Sequence, residues 1–144
     1  MTGPSIQERL YPQLKCFGCG PANPKGLQLR SFPAEGFVTA SFTPWPEHDN
    51  GTGYLNGGII ATVLDCHGGA AVFHHFDQQQ ATLSFVTAGM DIRYLRPCPL
   101  DQPILLRARV VSAESDEIIV ETDAEWDGKT RAAARARWKR WRPR

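Results

Sequence analysis

Gly57-Gly58-Ile59-Ile60-Ala61-Thr62-Val63-Leu64-Asp65-Cys66-His67-Gly68-Gly69-Ala70-Ala71-Val72-Phe73-His74-His75-Phe76 is the stretch on which the fold turns. Ile59, Ile60, Val63, Leu64, Cys66, Ala70, Ala71, Val72 and Phe73 cover nearly every side of a helical wheel. A helix on a protein surface keeps a polar face; one that is apolar all round is buried all round. Gly57 and Gly58 suit a helix N-terminus that another group approaches closely. Gly68 and Gly69 each cost about 1 kcal/mol relative to Ala, so a helix here requires a packing reason for them.

The sequence on either side supplies what buries this helix. Leu27 and Leu29 alternate with Gln28 and Arg30, and Val38, Ala40 and Phe42 alternate with Thr39, Ser41 and Thr43, which predicts two strands ahead of the helix. Pro44, Pro46 and the run Glu47 to Gly53 predict a long loop between. After the loop Asp77-Gln78-Gln79-Gln80, four strands are predicted: Ala81 to Leu95, Ile104 to Ser112, Glu117 to Trp126 and Thr130 to Trp138. In the third, Ile118, Val120, Thr122 and Ala124 oppose Glu121, Asp123 and Glu125; in the fourth, Ala132, Ala134, Ala136 and Trp138 oppose Arg131, Arg135 and Arg137. These two join through Asp127-Gly128. A two-residue loop in regular pairing sets Ala124 against Arg131. A three-residue loop, Trp126-Asp127-Gly128, pairs Glu125 with Lys129 and Ala124 with Thr130 and keeps the apolar faces together, so it is the expected register. The sum is an α+β chain: a long helix wrapped by an antiparallel sheet that curls around it. One sheet leaves a flank of the helix thinly covered, and a second copy of the chain would cover it.

The chain has 144 residues, one domain's length, with 16 Lys and Arg against 15 Asp and Glu. A net charge of +1 gives no global electrostatic case for nucleic acid or a membrane surface. Residues 1–15 lack the apolar core of a targeting segment, and the apolar run Ile59 to Leu64 is far short of the ~20 residues of a membrane span. Four cysteines without such a segment imply reduced thiols and a cytoplasmic setting. The expected organisation is a single domain over 1–144, with 1–26 an irregular cap and 139–144 a basic tail.

Asp65 is a carboxylate two turns into an apolar helix, where burial raises a carboxyl pKa and makes a candidate base or nucleophile. The Gly57 N–H points out of the positive end of the helix dipole, where a developing oxyanion is favoured. Eight residues separate them, about 12 Å at ~1.5 Å per residue, so both cannot act on one carbonyl from the same subunit. If both are catalytic, the site joins Gly57 of one chain to Asp65 of another. Cys16-Phe17-Gly18-Cys19-Gly20 reads first as a structural cap, then as half a zinc site or a redox pair. No second CxxC follows; Cys66 lies in the helix and Cys98 between prolines, so a site of four thiolates would draw on two chains. His48 stands in the loop before Asn50 and could border the site, while His67, His74 and His75 show no metal-ligand spacing. Arg93, Arg96 and the arginines from Arg131 to Arg144 are candidate phosphate contacts, the strand arginines also being placed to pair with Glu121, Asp123 and Glu125.

Asn50-Gly51, then Asn56-Gly57-Gly58, then Asp65, and further on Asp91-Ile92-Arg93-Tyr94-Leu95-Arg96-Pro97, resemble the hotdog-fold acyl-CoA thioesterases, closest to the PaaI-like, 4-hydroxybenzoyl-CoA thioesterase-type group. The resemblance spans roughly Gly26 to Trp138. It implies a long central helix wrapped by a curved antiparallel sheet, dimers with a continuous sheet, and often tetramers. It implies hydrolysis of an acyl- or aryl-acyl-CoA to acid and CoA, with no cofactor and no metal. Carried over by position, Asp65 is the acid, Gly57 the oxyanion donor and Asn50 the residue that orients substrate or water. Asn56, Gly58, Arg93 and Arg96 border the substrate. The family has His where Asn56 stands, which implies an altered substrate or rate. It also admits a second reading, a hotdog module that binds an acyl-CoA or other small ligand without turnover. Whether Asp65 acts through water or attacks directly stays open.

Overall fold

The structure is a computed structural model describing residues 2–78 and 84–141. The elements in order are α1 (Ile6–Leu10), β1 (Ser31–Ala34), β2 (Phe37–Phe42), a short 3-10 turn (Pro46–His48), α2 (Gly57–Gln78), β3 (Phe85–Tyr94), β4 (Ile104–Ala113), β5 (Glu117–Trp126) and β6 (Lys129–Arg140). The strands form one antiparallel sheet in the order β1-β2-β4-β5-β6-β3, and α2 packs across it. This is the wrapped-helix arrangement expected above. Among the described residues, no helix is long and apolar enough to cross a membrane.

The alternating patterns bury the faces they predict. Val38, Ala40 and Phe42 of β2, Ile118, Val120, Thr122 and Ala124 of β5, and Ala132, Ala134, Ala136 and Trp138 of β6 turn inward onto α2. The helix contributes Ile60, Val63, Leu64, Ala70, Ala71, Val72 and Phe76 to the same core. The two mid-helix glycines find their reason here. A Cβ on Gly68 would lie 3.2 Å from Val120 Cγ1, and one on Gly69 would lie 2.8 Å from Trp138 Cη2. A side chain at Gly69 would therefore force Trp138 to shift, and one at Gly68 would be tight against Val120.

Three expectations are corrected. Leu27 and Leu29 are buried but form no strand. Gln28 between them is left-handed (φ 58°), and the Leu29 N–H bonds to Gly18 O at 3.0 Å, so the N-terminal leader of residues 1–26 rather than a sheet neighbour takes this segment. The hairpin has the two-residue loop, not the three-residue one. Trp126 pairs with Lys129 across Asp127 (φ 54°) and Gly128 (φ 71°), the positive dihedrals of a primed turn. A bulge between Glu125 and Ala124 then shifts the register to Ala124–Ala132, and it keeps Arg131 off the apolar face. Arg131 instead stacks on Trp126 at 4.9 Å and donates to its carbonyl.

The third correction concerns the ends. Residues 1–26 contain α1, capped by Ser5 and Glu8 in a reciprocal capping box. β6 runs on through Arg140, into the stretch expected as a tail, where Lys139 pairs with Glu117 and Arg140 with Asp116. The strand expected from Ala81 is described from Phe85. Gln79 to Leu83, and Arg142 and Arg144 of the tail, lie outside the described residues.

His67, Ser31 and Gln7 are buried polar residues joined by a chain of hydrogen bonds. His67 Nε2 donates to Val38 O at 2.9 Å, since a carbonyl only accepts. Its Nδ1 therefore accepts, from Ser31 Oγ at 2.8 Å. Ser31 in turn accepts from Gln7 Nε2, and its N–H donates to Gln7 Oε1. The ring is thus held neutral, and burial pushes its pKa from 6.5 down to about 4. Unfolded His67 gains a proton as pH falls through 6.5, while the folded ring resists until about 4. Stability is expected to fall across that window by on the order of 3 kcal/mol. Thermal unfolding of wild type and His67→Asn between pH 7 and 4 checks this: the variant starts less stable and shows a flatter pH dependence. Parallel curves contradict it.

Candidate active site

The loop before α2 is built from its own side chains. Asp49 Oδ1 accepts from the N–H groups of Gly51 (2.7 Å) and Gly53 (3.0 Å). Asn50 Oδ1 accepts from Thr52 N, Thr52 Oγ1 and Tyr54 N. Leu55 N donates to Cys98 O and Asn56 N to His48 O, which pin the loop to the core. His48 itself is buried between Trp45 and Phe42, with Nδ1 accepting from Trp45 N.

Asn56 then caps α2. Its Oδ1 accepts from Gly58 N at 2.7 Å and Ile59 N at 3.3 Å. Those bonds satisfy two of the N–H groups that a helix start leaves over. The N–H of Gly57 has no acceptor among the described residues. It stands half-buried at the positive end of a 22-residue helix. At the carbonyl end of the same residue, Tyr94 Oη donates to Gly57 O at 2.9 Å. The Tyr94 ring also flanks Gly57, 3.6 Å from where a Cβ would stand.

Asp65 lies further along the same helix, half-buried. Burial raises its carboxyl pKa, Thr87 opposes that by a hydrogen bond, and a neighbouring Cys16 adds to the rise. Thr87 Oγ1 donates to Asp65 Oδ1 at 2.6 Å, which leaves the second oxygen free of that contact. Gly58, Ala61, Thr62 and Asp65 fall at helical spacing on one stripe that the sheet does not fully cover. Strand β3, which supplies both Thr87 and Tyr94, is the last strand of the sheet, and Val86, Tyr94 and Leu95 are exposed along it.

The structure brings Gly57 together with Asn56, Gly58 and Tyr94, and Asp65 together with Thr87. It does not bring the two groups together within one subunit, since the helix spacing still holds them about 12 Å apart. Asn50 commits its acceptor oxygen to its own loop, and Asn56 commits its own to the cap. Arg96 Nη1 donates to Thr130 O. Arg93 faces the other side of the sheet, where it lines a groove with Phe37, Asp91, Arg107, Glu121 and Arg135. That groove holds none of the helix residues above.

Thr87 and Tyr94 were missed by sequence reasoning. In a regular strand, residues seven apart point to opposite faces. Here Thr87 pairs with Trp138 and Gly89 with Arg137, so Ala88 is an extra residue and both side chains turn toward α2. Tyr94 stands inside the Asp91–Pro97 motif, which was the one available signal.

The family profile of the thioesterase superfamily matches residues 52–133, more than half of the chain. The chain belongs to the thioesterase superfamily. Its fold is the hotdog fold. A phenylacetic acid degradation-related protein of Ralstonia eutropha superposes with a TM-score of 0.75 at 20% identity, over 94% of this chain and 98% of that one. The Escherichia coli PaaI protein, from the phenylacetic acid degradation operon, gives 0.69 at 20% identity, over 81% of each chain. A further thioesterase superfamily protein gives 0.73 at 22% identity; this superfamily member spans 87% of its own length there and 60% of the other chain. No curated protein sequence matches at a significant level.

Proposed function

We propose that the protein hydrolyses an acyl-CoA or aryl-acyl-CoA thioester to acid and CoA, at a site shared by two subunits. The observation that carries this is the division of one helix into two half-sites. An uncommitted Gly57 N–H stands at its start, and a desolvated, Thr87-held Asp65 stands two turns on. Two such helices side by side and antiparallel set Gly57 of one chain against Asp65 of the other. The partly covered stripe through Gly58, Ala61, Thr62 and Asp65 and the outer edge of β3 support that pairing.

The chemistry follows from those atoms. The Asp65 carboxylate takes a proton from water, and the hydroxide attacks the thioester carbonyl carbon. The Gly57 N–H holds the oxyanion that forms. Collapse breaks the carbon–sulfur bond, and the proton on Asp65 passes to the leaving thiolate. Thr87 occupies one carboxylate oxygen and leaves the other to the water, which favours the water route over direct attack. In this reading Asn50 orients substrate or water through its amide NH2, its oxygen being committed to the loop. Asn56 and Gly58 line the entrance. Arg96, just past Tyr94, is the arginine offered to the CoA phosphates, while Arg93 stands on the opposite face of the sheet. The cytoplasm, where acyl-CoA is made and used, is the expected setting.

The test is thiol release from a panel of short, medium, long and aryl acyl-CoAs, with the oligomeric state read by light scattering. The expected result is saturable turnover of at least one class by a dimer or tetramer. Saturable binding with no thiol release above background moves the protein to the binding-module reading. A strict monomer that still turns over overturns the shared site.

A further inference from the structure

The fold gathers three of the four cysteines. Cys16 and Cys19 of the leader meet Cys66 of α2, with all three sulfurs within 4.8 Å of one another. The Cys16 and Cys66 sulfurs are 3.7 Å apart. Four thiolates at about 2.3 Å around a tetrahedral ion stand about 3.8 Å from each other, so this edge already has the metal-site length. The other two edges need to close by at most about 1 Å.

The leader is folded around the sulfurs. The Cys16 and Cys66 thiols are in hydrogen-bond contact, in which either can donate, and the Cys19 thiol and the Gly18 and Cys19 amides lie about Cys16 Sγ and favour its thiolate. Gly20 N closes the turn on Cys16 O at 2.8 Å. Leu27 N and Leu29 N bond to Phe17 O and Gly18 O, so the loop is stapled on both sides. A Cβ on Gly18 would overlap Cys66 Sγ, and one on Gly20 would overlap the Cys16 backbone. Two glycines thus leave room for a CxxC turn whose amides point at a sulfur, seated on a third sulfur from another element. A cap that needed only apolar packing has no use for that geometry. Nothing in the proposed hydrolysis uses these thiols either.

We propose that Cys16, Cys19 and Cys66 form a binding site for zinc, which ties the leader to α2 beside Asp65. Three thiolates supply the ligands, and the fourth tetrahedral position is left to water or a small ligand. The ion forms three sulfur bonds and displaces the thiol protons to solvent; no oxidant or reductant is involved. Cys98, buried at 1% exposure in the core beneath the loop, takes no part.

The experiment uses the full chain, purified in reductant, incubated with Zn(II) alone and freed of loosely held ion on a chelating resin. About one equivalent of zinc per chain is expected in wild type and in Cys98→Ser, against under about a tenth in Cys19→Ser and Cys66→Ser. Co(II) in place of Zn(II) should give a thiolate charge-transfer band and the visible bands of a tetrahedral ion, both absent from Cys66→Ser. Removal of the ion should lower the Tm of wild type by several degrees and leave that of Cys66→Ser unmoved. Asp65→Asn should keep its zinc, which separates this site from the proposed catalysis. Under about a tenth of an equivalent in reduced wild type, with no cobalt band, overturns the proposal. So does full zinc retention by a folded Cys66→Ser. Should the cysteine variants fail to fold, the zinc content and cobalt spectrum of wild type decide. A disulfide formed in air between two of the three thiols, the third staying a free thiol, with no metal bound after reduction makes two of them a redox pair, and also overturns it.

Discussion

Asp65→Asn is expected to lower kcat for the best acyl-CoA in the panel by roughly a thousandfold, the usual worth of a positioned general base. That is about 4 kcal/mol of transition-state stabilisation. The amide matches the carboxylate in shape, and its oxygen still accepts from Thr87 Oγ1, so the fold and the oligomer should persist. What disappears is the basic oxygen that takes the proton from water. KM should move much less, because substrate contacts the carboxylate only through that water. Thr87→Val tests the positioning separately. It keeps the carboxylate but removes the 2.6 Å bond that aims it, and it should cost about tenfold in kcat with little change in KM. Size-exclusion chromatography and circular dichroism of both variants exclude misfolding as the cause. Turnover by Asp65→Asn within about threefold of wild type contradicts the assignment of Asp65.

Gly69→Val carries the largest expected loss of stability. The glycine lies where α2 crosses β6, and a Cβ there meets Trp138 Cη2 at 2.8 Å and Cζ2 at 3.1 Å. Trp138 is itself 8% exposed and stands edge-on to Phe73, so the indole has no free space to retreat into. Forcing in a branched side chain should cost about 3 kcal/mol and lower Tm by roughly 10 °C. Gly69→Ala should cost less, because the better helix former returns about 1 kcal/mol. A double variant gives the decisive comparison. Phe lacks the Cη2 and Cζ2 atoms of the indole, so Gly69→Ala should be better tolerated in Trp138→Phe than in wild type. Thermal unfolding of the four-member cycle reads the coupling directly. Additive effects would mean that the helix glycine does not answer to Trp138.

Both predictions rest on patterns that were legible before any coordinates, and on contacts that were not. The helix was readable because its apolar residues recur at all angles over some twenty positions, and only burial on every side satisfies such a segment. The β5 and β6 faces were readable for the same kind of reason. A period of two over ten residues admits one inward face, whatever the partner strand. The desolvation of Asp65 was readable because burial in that apolar stretch disfavours the charged carboxylate, and the structure shows it half-buried with its pKa raised. The capping box at Ser5 and Glu8 is equally local, an S-x-x-E spacing that starts α1 within the proline- and glycine-rich N-terminal segment.

What the sequence alone determined, then, is everything set by short periods: which segments bury which faces, the place of the acid, and the glycine-led helix start. Tertiary structure decided the rest, because bulges, close approaches and clusters depend on residues far apart in the chain. The bulge at Ala88 turns Thr87 and Tyr94 to one side, and the bulge beside Ala124 reconciles a two-residue turn with an apolar face. Gly68 and Gly69 cost helix propensity locally and recover it only against Val120 and Trp138. Cys66 joins Cys16 and Cys19 across fifty residues of chain, a meeting that no spacing rule encodes. Periodicity records the environment of a residue, while the identity of its neighbours is fixed only when the sheet closes on the helix.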